Sequence, residues 1–174
     1  MIGYLDMSAF VPLLVAEPSS PACRRFWDDA DEVVSSRLLY VDTAAALSQA
    51  RRMGRLTDQK LQASLRLLDQ LWSAVEVAEV DEPVVARAAT LAHQLALRGY
   101  DAVHCASAEQ LNDEDVVAAT GDQRLLAAWT ELGIATFDTN ATNGAEAGRW
   151  QRETTEQAKT CQPTPPMAEE WHHA

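Results

Sequence analysis

The sequence predicts an α/β fold in which helices flank a central, mostly parallel sheet of about four or five strands. Short apolar runs alternate with stretches whose apolar residues recur at three-and-four spacing. Those helical stretches are bounded by capping residues and by glycine. Strand and helix taking turns along a chain is the pattern of parallel strands joined by helical crossovers, and the ligand site of such a fold lies beyond the carboxyl ends of the strands.

The elements follow in order. Ile2 to Leu5 reads as a strand ending at Asp6, and Ser8 is positioned to cap a helix carrying Phe10, Leu13 and Leu14. Pro21 to Asp29 reads as a second helix, Glu32 to Ser35 as a strand, and Leu38 to Met53 as a longer helix stopped by Gly54. Leu61, Leu65, Leu68 and Leu71 mark an amphipathic helix over Thr57 to Ser73, and Val75 to Val80 is the next strand. Asp81 and Pro83 open a helix that Gly99 is expected to close, after which another begins near Asp101. Asp115 to Ala119 as strand, Asp122 to Leu132 as helix and Ile134 to Phe137 as strand complete the pattern. We expect one domain over residues 1–139. From residue 140 the composition turns to Thr, Gln, Glu, Gly and Pro without an apolar period, which reads as a polar, disordered tail over 140–174. The terminal Trp171, His172 and His173 are too short a run to assign as a tag or a metal site.

Bulk properties narrow the function. A chain of 174 residues, 47% of them hydrophobic, can bury one core and is expected to carry one site. No apolar stretch is long enough to span a bilayer, and the first residues lack the basic region of a secretory signal, so the expected location is the cytoplasm, with no membrane partner. Cys23, Cys105 and Cys161 are odd in number and widely spaced, which fits neither a disulfide framework nor a zinc knuckle; Cys105 is expected in the core. A net charge of −12 excludes tight nucleic-acid binding over a broad basic face, so any contact with RNA must be local.

The acids carry the chemistry. Asp6 follows the first strand directly and Asp122 follows the strand ending near Ala119, so parallel pairing puts both on one rim. Asp101 at a helix start and Asp42 in the first turns of the long helix can aim at the same rim. Four converging carboxylates raise one another's pKa, and a hard divalent cation bound through oxygen compensates them; Mg²⁺ fits, and Mn²⁺ also. Singly, Asp101 and Asp122 read more readily as helix caps and Asp42 can be read as a solvated side chain, whereas Asp6 is costly to bury unless it is paired or exposed at a functional rim. Ser8 and Thr120 are caps or, in the functional reading, hydroxyls that orient an acid.

Among the basic residues, Arg124 is the first choice for a phosphate or RNA contact because it lies two residues after Asp122. Arg51, Arg52 and Arg55 lie roughly 14 to 20 Å along the helix from Asp42 and read as a solvated face favoured by the helix dipole. His104 reads as a core histidine behind Asp101, His93 as a helix-surface residue, and Trp27, Trp72 and Trp129 as packing residues.

Four segments, YLDMSAFVPLL, SSRLLYVDTAAALSQARR, RGYDAVHCASA and TGDQRLLAAWTELGI, resemble in order and spacing the PIN-domain family, specifically the VapC-type toxins of bacterial toxin–antitoxin pairs, over about residues 2 to 138. The resemblance implies a PIN-like α/β/α sandwich and Mg²⁺-dependent hydrolysis of RNA phosphodiesters by water. It places Asp6, Asp101 and Asp122 at the family's acidic positions and Ser8 and Thr120 at its hydroxyl positions. Asp6 and Asp101 are then the expected metal ligands, with Asp42 and Asp122 direct or through water. Asp42 departs from the pattern, which usually has glutamate there. The resemblance also implies a cognate antitoxin and a homodimer. Two other readings stand beside it: a catalytically weak PIN-like module that binds protein or RNA, and a phosphatase of the haloacid dehalogenase type. The last lacks the acid expected two residues after Asp6, and Lys60 and Lys159 are the chain's only lysines.

Overall fold

The structure is a computed structural model and describes residues 1–111 and 114–141; the expected tail falls almost wholly outside the described residues. Five parallel strands form one sheet in the order β3-β2-β1-β4-β5, with β1 over Ile2–Leu5, β2 over Glu32–Ser36, β3 over Glu76–Ala78, β4 over Val116–Thr120 and β5 over Ala135–Asp138. The sheet is wholly parallel, as expected of strands joined by helical crossovers.

Side chains alternate across the sheet and separate two cores. Leu5, Val33, Val117 and Ala119 face one core, whereas Tyr4, Val34, Val116 and Ala118 face the other. The first core is closed by α1 (Met7–Leu14), α2 (Ser20–Asp29), α3 (Leu38–Arg52) and α4 (Asp58–Trp72), which bring Phe10, Phe26, Leu47 and Leu68. The second is closed by α5 (Glu82–Gln94), α6 (Gly99–Leu111) and α7 (Gln123–Glu131), which bring Leu91, Cys105, Leu125 and Trp129. Each face of the central strand is therefore dry, which is why Ile2 to Leu5 reads as a continuous apolar run. No helix among the described residues is long and apolar enough to cross a membrane.

Three local expectations need correction. Asp6, not Ser8, caps α1: its Oδ1 accepts from Ala9 N at 3.1 Å, and Ser8 lies inside the helix with its hydroxyl turned to Asp6. The strand expected over Val75 to Val80 is only three residues long. It is the sheet edge, and its sole neighbour β2 ends where Arg37 leads into α3. Gly99 does not close α5 but opens α6.

The residue that closes α5 is Ala96, held at φ 51°. Leu97 N bonds back to Ala92 O at 3.2 Å, the six-to-one bond of a Schellman cap, and Leu97 and Ala92 both pack against the second core. Gly54 (φ 75°) and Gly133 (φ 77°) hold the corresponding positions after α3 and α7 at no steric cost. An alanine in this conformation costs about 1 kcal/mol, and glycine's freedom in the unfolded chain returns part of it. Ala96→Gly is accordingly expected to stabilise the protein by a net of about 0.5 kcal/mol, since Ala96 is exposed and loses no packing. Denaturant unfolding measures this, and a loss of stability would mean that the cap does not form.

Candidate active site

The site assembles where β1 and β4, paired Leu5 to Ala119, both end. Asp6 follows β1 and is 6% exposed. Ser8 Oγ donates to Asp6 Oδ1 at 2.8 Å, and Thr120 Oγ1 donates to Asp6 Oδ2 at 2.9 Å. Both hydroxyls also accept from the β4–α7 turn: Gly121 N donates to Ser8 Oγ at 2.6 Å and Asp122 N to Thr120 Oγ1 at 3.0 Å. One hydrogen-bonded unit thus ties the start of α1 to the start of α7. At Gly121 a Cβ would stand 2.7 Å from Asn140 Nδ2, so a side chain there would displace the amide that donates to Gly121 O.

Burial shapes the charge on Asp6. Desolvation raises its pKa to about 6, and the negative charge of Asp122 pushes in the same direction. The bonds from Ser8, Thr120 and Ala9 N favour the carboxylate and limit the rise. The hydroxyls therefore keep a buried acid largely ionised near neutral pH, where it can serve as a ligand.

The other acids lie around this unit. Asp122 caps α7, its Oδ1 accepting from Arg124 N at 2.8 Å and Leu125 N at 3.4 Å. Asp101 stands in the first turn of α6 with its side chain 17% exposed. Asp42, on the first turns of α3, is half-buried; burial raises its pKa, and the charge of Asp101 adds to the rise. Asp6 is thus coupled to Asp122, and Asp42 to Asp101. Among the described residues, however, no group of three or more His, Cys, Asp or Glu side chains stands close enough to hold a metal ion.

Arg98 occupies part of that space, and sequence reasoning passed over it. Its Nε donates to Asp101 Oδ2 at 2.9 Å and its Nη2 to Asp122 Oδ2 at 3.1 Å. The only sequence signal was its position three residues before Asp101, a spacing shared by many surface ion pairs. Arg124, the residue favoured for a phosphate contact, is exposed and touches Asp122 through its backbone N–H.

The remaining candidates are structural. Arg51 Nε donates to Asp58 at 2.6 Å, and Arg51, Arg52 and Arg55 are exposed. Burial lowers the pKa of His104 to about 4, so it is neutral in the core, with Nδ1 3.0 Å from Tyr4 Oη. Cys105 is buried, as is Cys23; Cys161 lies outside the described residues. His93 is exposed, Trp129 is fully buried, and Trp27 and Trp72 are half-buried against the first core. Lys60 is exposed at the start of α4, and Lys159 lies outside the described residues.

The chemistry of the donors fits a hard divalent cation, although the acids are not drawn onto one point as they stand. Every candidate ligand is a carboxylate oxygen, one acid is buried yet held ionised by two hydroxyls, and the acids come in mutually repelling pairs.

Comparison with known proteins agrees with this architecture. The model of the PIN domain matches residues 3–129. The chain is 42% identical to Ribonuclease VapC45 of Mycobacterium tuberculosis over 122 residues, covering 70% of this chain and 85% of that protein. Its fold is similar to that of PAE2754 from Pyrobaculum aerophilum, at a TM-score of 0.55 and 25% identity over 74% of this chain and 79% of that one. It is also similar to FitAcB from Neisseria gonorrhoeae, at a TM-score of 0.58 and 20% identity over 80% and 98% of the two chains. Because the matched span runs from β1 into α7 and so includes every acid of the site, the resemblance in the four sequence segments and the observed sheet have one explanation: this chain belongs to the PIN-domain family, among its VapC ribonucleases.

Proposed function

We propose that this protein is a divalent-metal-dependent endoribonuclease, with Mg²⁺ as the cofactor, Mn²⁺ able to replace it, and the role of toxin in a toxin–antitoxin pair. The observation that carries the proposal is the unit formed by Asp6, Ser8, Thr120 and Asp122 at the ends of β1 and β4, with Asp101 linked to it through Arg98. Asp6 and Asp101 would hold the cation, with Asp42 and Asp122 contributing directly or through water. When bound, the cation supplies positive charge for the phosphoryl oxygens and makes water a stronger nucleophile at neutral pH.

The chain's own residues do the rest. Ser8 and Thr120 fix both oxygens of Asp6, so its orientation is set before any ligand arrives. Asp122 is fixed through its cap bonds to Oδ1, which leaves Oδ2 outside the cap. Arg98 and Arg124 supply positive charge for an RNA phosphate at an otherwise acidic rim. The result is local contact with RNA, which suits a chain of net charge −12.

The same acids suit a protein inhibitor. An arginine from an antitoxin could bind them through paired, charge-assisted bonds and block the approach of a phosphate. A groove of about 680 Å³ opens beside Ser8 and Asp122 and is lined by Met7, Val11 and Met53 together with Glu17, Gln49 and Arg55, which gives an amphipathic segment of that partner a place to lie. The proposal includes self-association, on the strength of family membership. VapC45 and its relatives are ribonucleases by name, and FitAcB and VapBC proteins are among the fold's solved neighbours.

Two experiments test the proposal. Purified protein should cleave RNA with Mg²⁺, stop on addition of EDTA, and lose activity as Asp101→Asn; metal-independent cleavage, or full activity of that variant, would refute the mechanism. Induced expression should arrest growth, and co-expression of the neighbouring gene should restore it. Equal growth in both cases, with active enzyme present, would leave a nuclease that is not a toxin.

A further inference from the structure

Arg98 is not an ordinary surface ion pair. Its two nitrogens reach carboxylates on different elements, Asp101 in the first turn of α6 and Asp122 at the cap of α7. Its backbone is committed, because Arg98 O accepts from Ala102 N at 2.9 Å as α6 begins. Its side chain is 70% exposed, and among the described residues its ion-pair partners are these two acids. On Asp122, Oδ1 is occupied by the helix cap, so Arg98 holds the oxygen that the cap leaves open. The two acids it bridges are the neighbours of Asp42 and Asp6, so the guanidinium stands amid the negative charge on which the proposed function depends.

We propose that Arg98 is a built-in counter-ion of the acidic rim: it occupies the space between Asp101 and Asp122 in the metal-free protein, and a divalent cation binds by displacing it. This rests on the metal-dependent reading above and deepens it, since it makes Arg98 a positioning residue that sets how much cation the site requires. The chemistry favours exchange over a permanent plug. A guanidinium carries one delocalised charge and is weakly hydrated, whereas Mg²⁺ or Mn²⁺ concentrates two charges at contact distance from oxygen. Exposed ion pairs shift an equilibrium by only about 1.4- to 5-fold each, so two such contacts can be given up at modest cost. The pivot needed is available in the side chain alone, with the backbone of α6 unmoved.

The test is a Mn²⁺ titration, read by calorimetry or by loss of the free-ion electron paramagnetic resonance signal, on the full chain. Arg98→Gln is expected to bind Mn²⁺ about three- to tenfold more tightly than the unaltered protein at low ionic strength, with the gap narrowing in high salt. Without metal it should melt at a lower temperature, and Mn²⁺ should raise its Tm by more than it raises that of the unaltered protein. Arg98→Lys keeps a point charge that cannot span both acids, and should fall between. Arg124→Gln removes the same charge two residues from Asp122 without breaking the bridge, and should change the affinity little. Equal or weaker binding by Arg98→Gln, or an equal gain from Arg124→Gln, would overturn the role of Arg98 while leaving the metal site standing. Absence of Mn²⁺ binding in all four proteins would overturn the metal reading and this inference together.

Discussion

Asp6→Asn is expected to reduce Mg²⁺-dependent RNA cleavage by about a hundredfold to a thousandfold, the scale at which a preorganised charge-stabilising group acts, and at the same time to make the metal-free protein more stable. Both effects follow from the proposed role of Asp6, an acid buried at the rim and held for a cation. Its folded pKa of about 6 lies above the ordinary 3.8, so the protonated form is the better-tolerated one in the folded protein. The stability associated with that proton is full below pH 3.8 and is lost as pH rises through about 6. Asparagine imitates the neutral acid at every pH. At 1.36 kcal/mol per pKa unit, the gain above neutrality is on the order of 3 kcal/mol, and it should shrink as the pH approaches 4. Urea unfolding in EDTA at about pH 8 and about pH 4 measures this difference. A variant that is both active and less stable would contradict the role assigned to Asp6.

Asp42 gives the second large effect. Asp42→Glu should retain activity within a few-fold, because it restores the side chain usual in the family and extends the acid by one methylene. Asp42→Ala should lose about tenfold to a hundredfold, as expected of a group that supports a metal site directly or through water. Its position supports this: Asp42 is half-buried, and the charge of Asp101 acts on it although the two are far apart in sequence. Equal cleavage by the alanine and glutamate variants would remove Asp42 from the site.

What the sequence reveals of this site depends on the kind of feature. Asp6 and Asp122 were legible because an acid directly after a buried strand has few explanations, and parallel pairing of β1 with β4 puts both at one rim. The layers were legible from the pattern, since β1 and β4 are largely apolar runs and α4 and α7 are clearly amphipathic. Arg98 was not legible, because its role depends on Asp122, which is 24 residues away and reaches it only through the packing of α6 near α7. The start of α1 misled because Ser8 is a good capping residue on its own. The folded chain needs that hydroxyl for Asp6, which is itself free to cap Ala9 N. Ala96 misled because the rule for helix ends favours the nearby glycine, whereas burial of Leu97 against the second core fixes where the chain must turn.

The central claim is that these four acids bind one divalent cation, and a crystal structure with Mn²⁺, located by its anomalous scattering, tests it most directly. The account predicts a single Mn²⁺ about 2.1 Å from carboxylate oxygens of Asp6 and Asp101. It further predicts that Asp42 and Asp122 lie on the ion directly or through water, and that Arg98 has moved off Asp101 and Asp122. Crystals of active protein in millimolar Mn²⁺ that show no ion on these carboxylates, or an ion bound elsewhere, would contradict it.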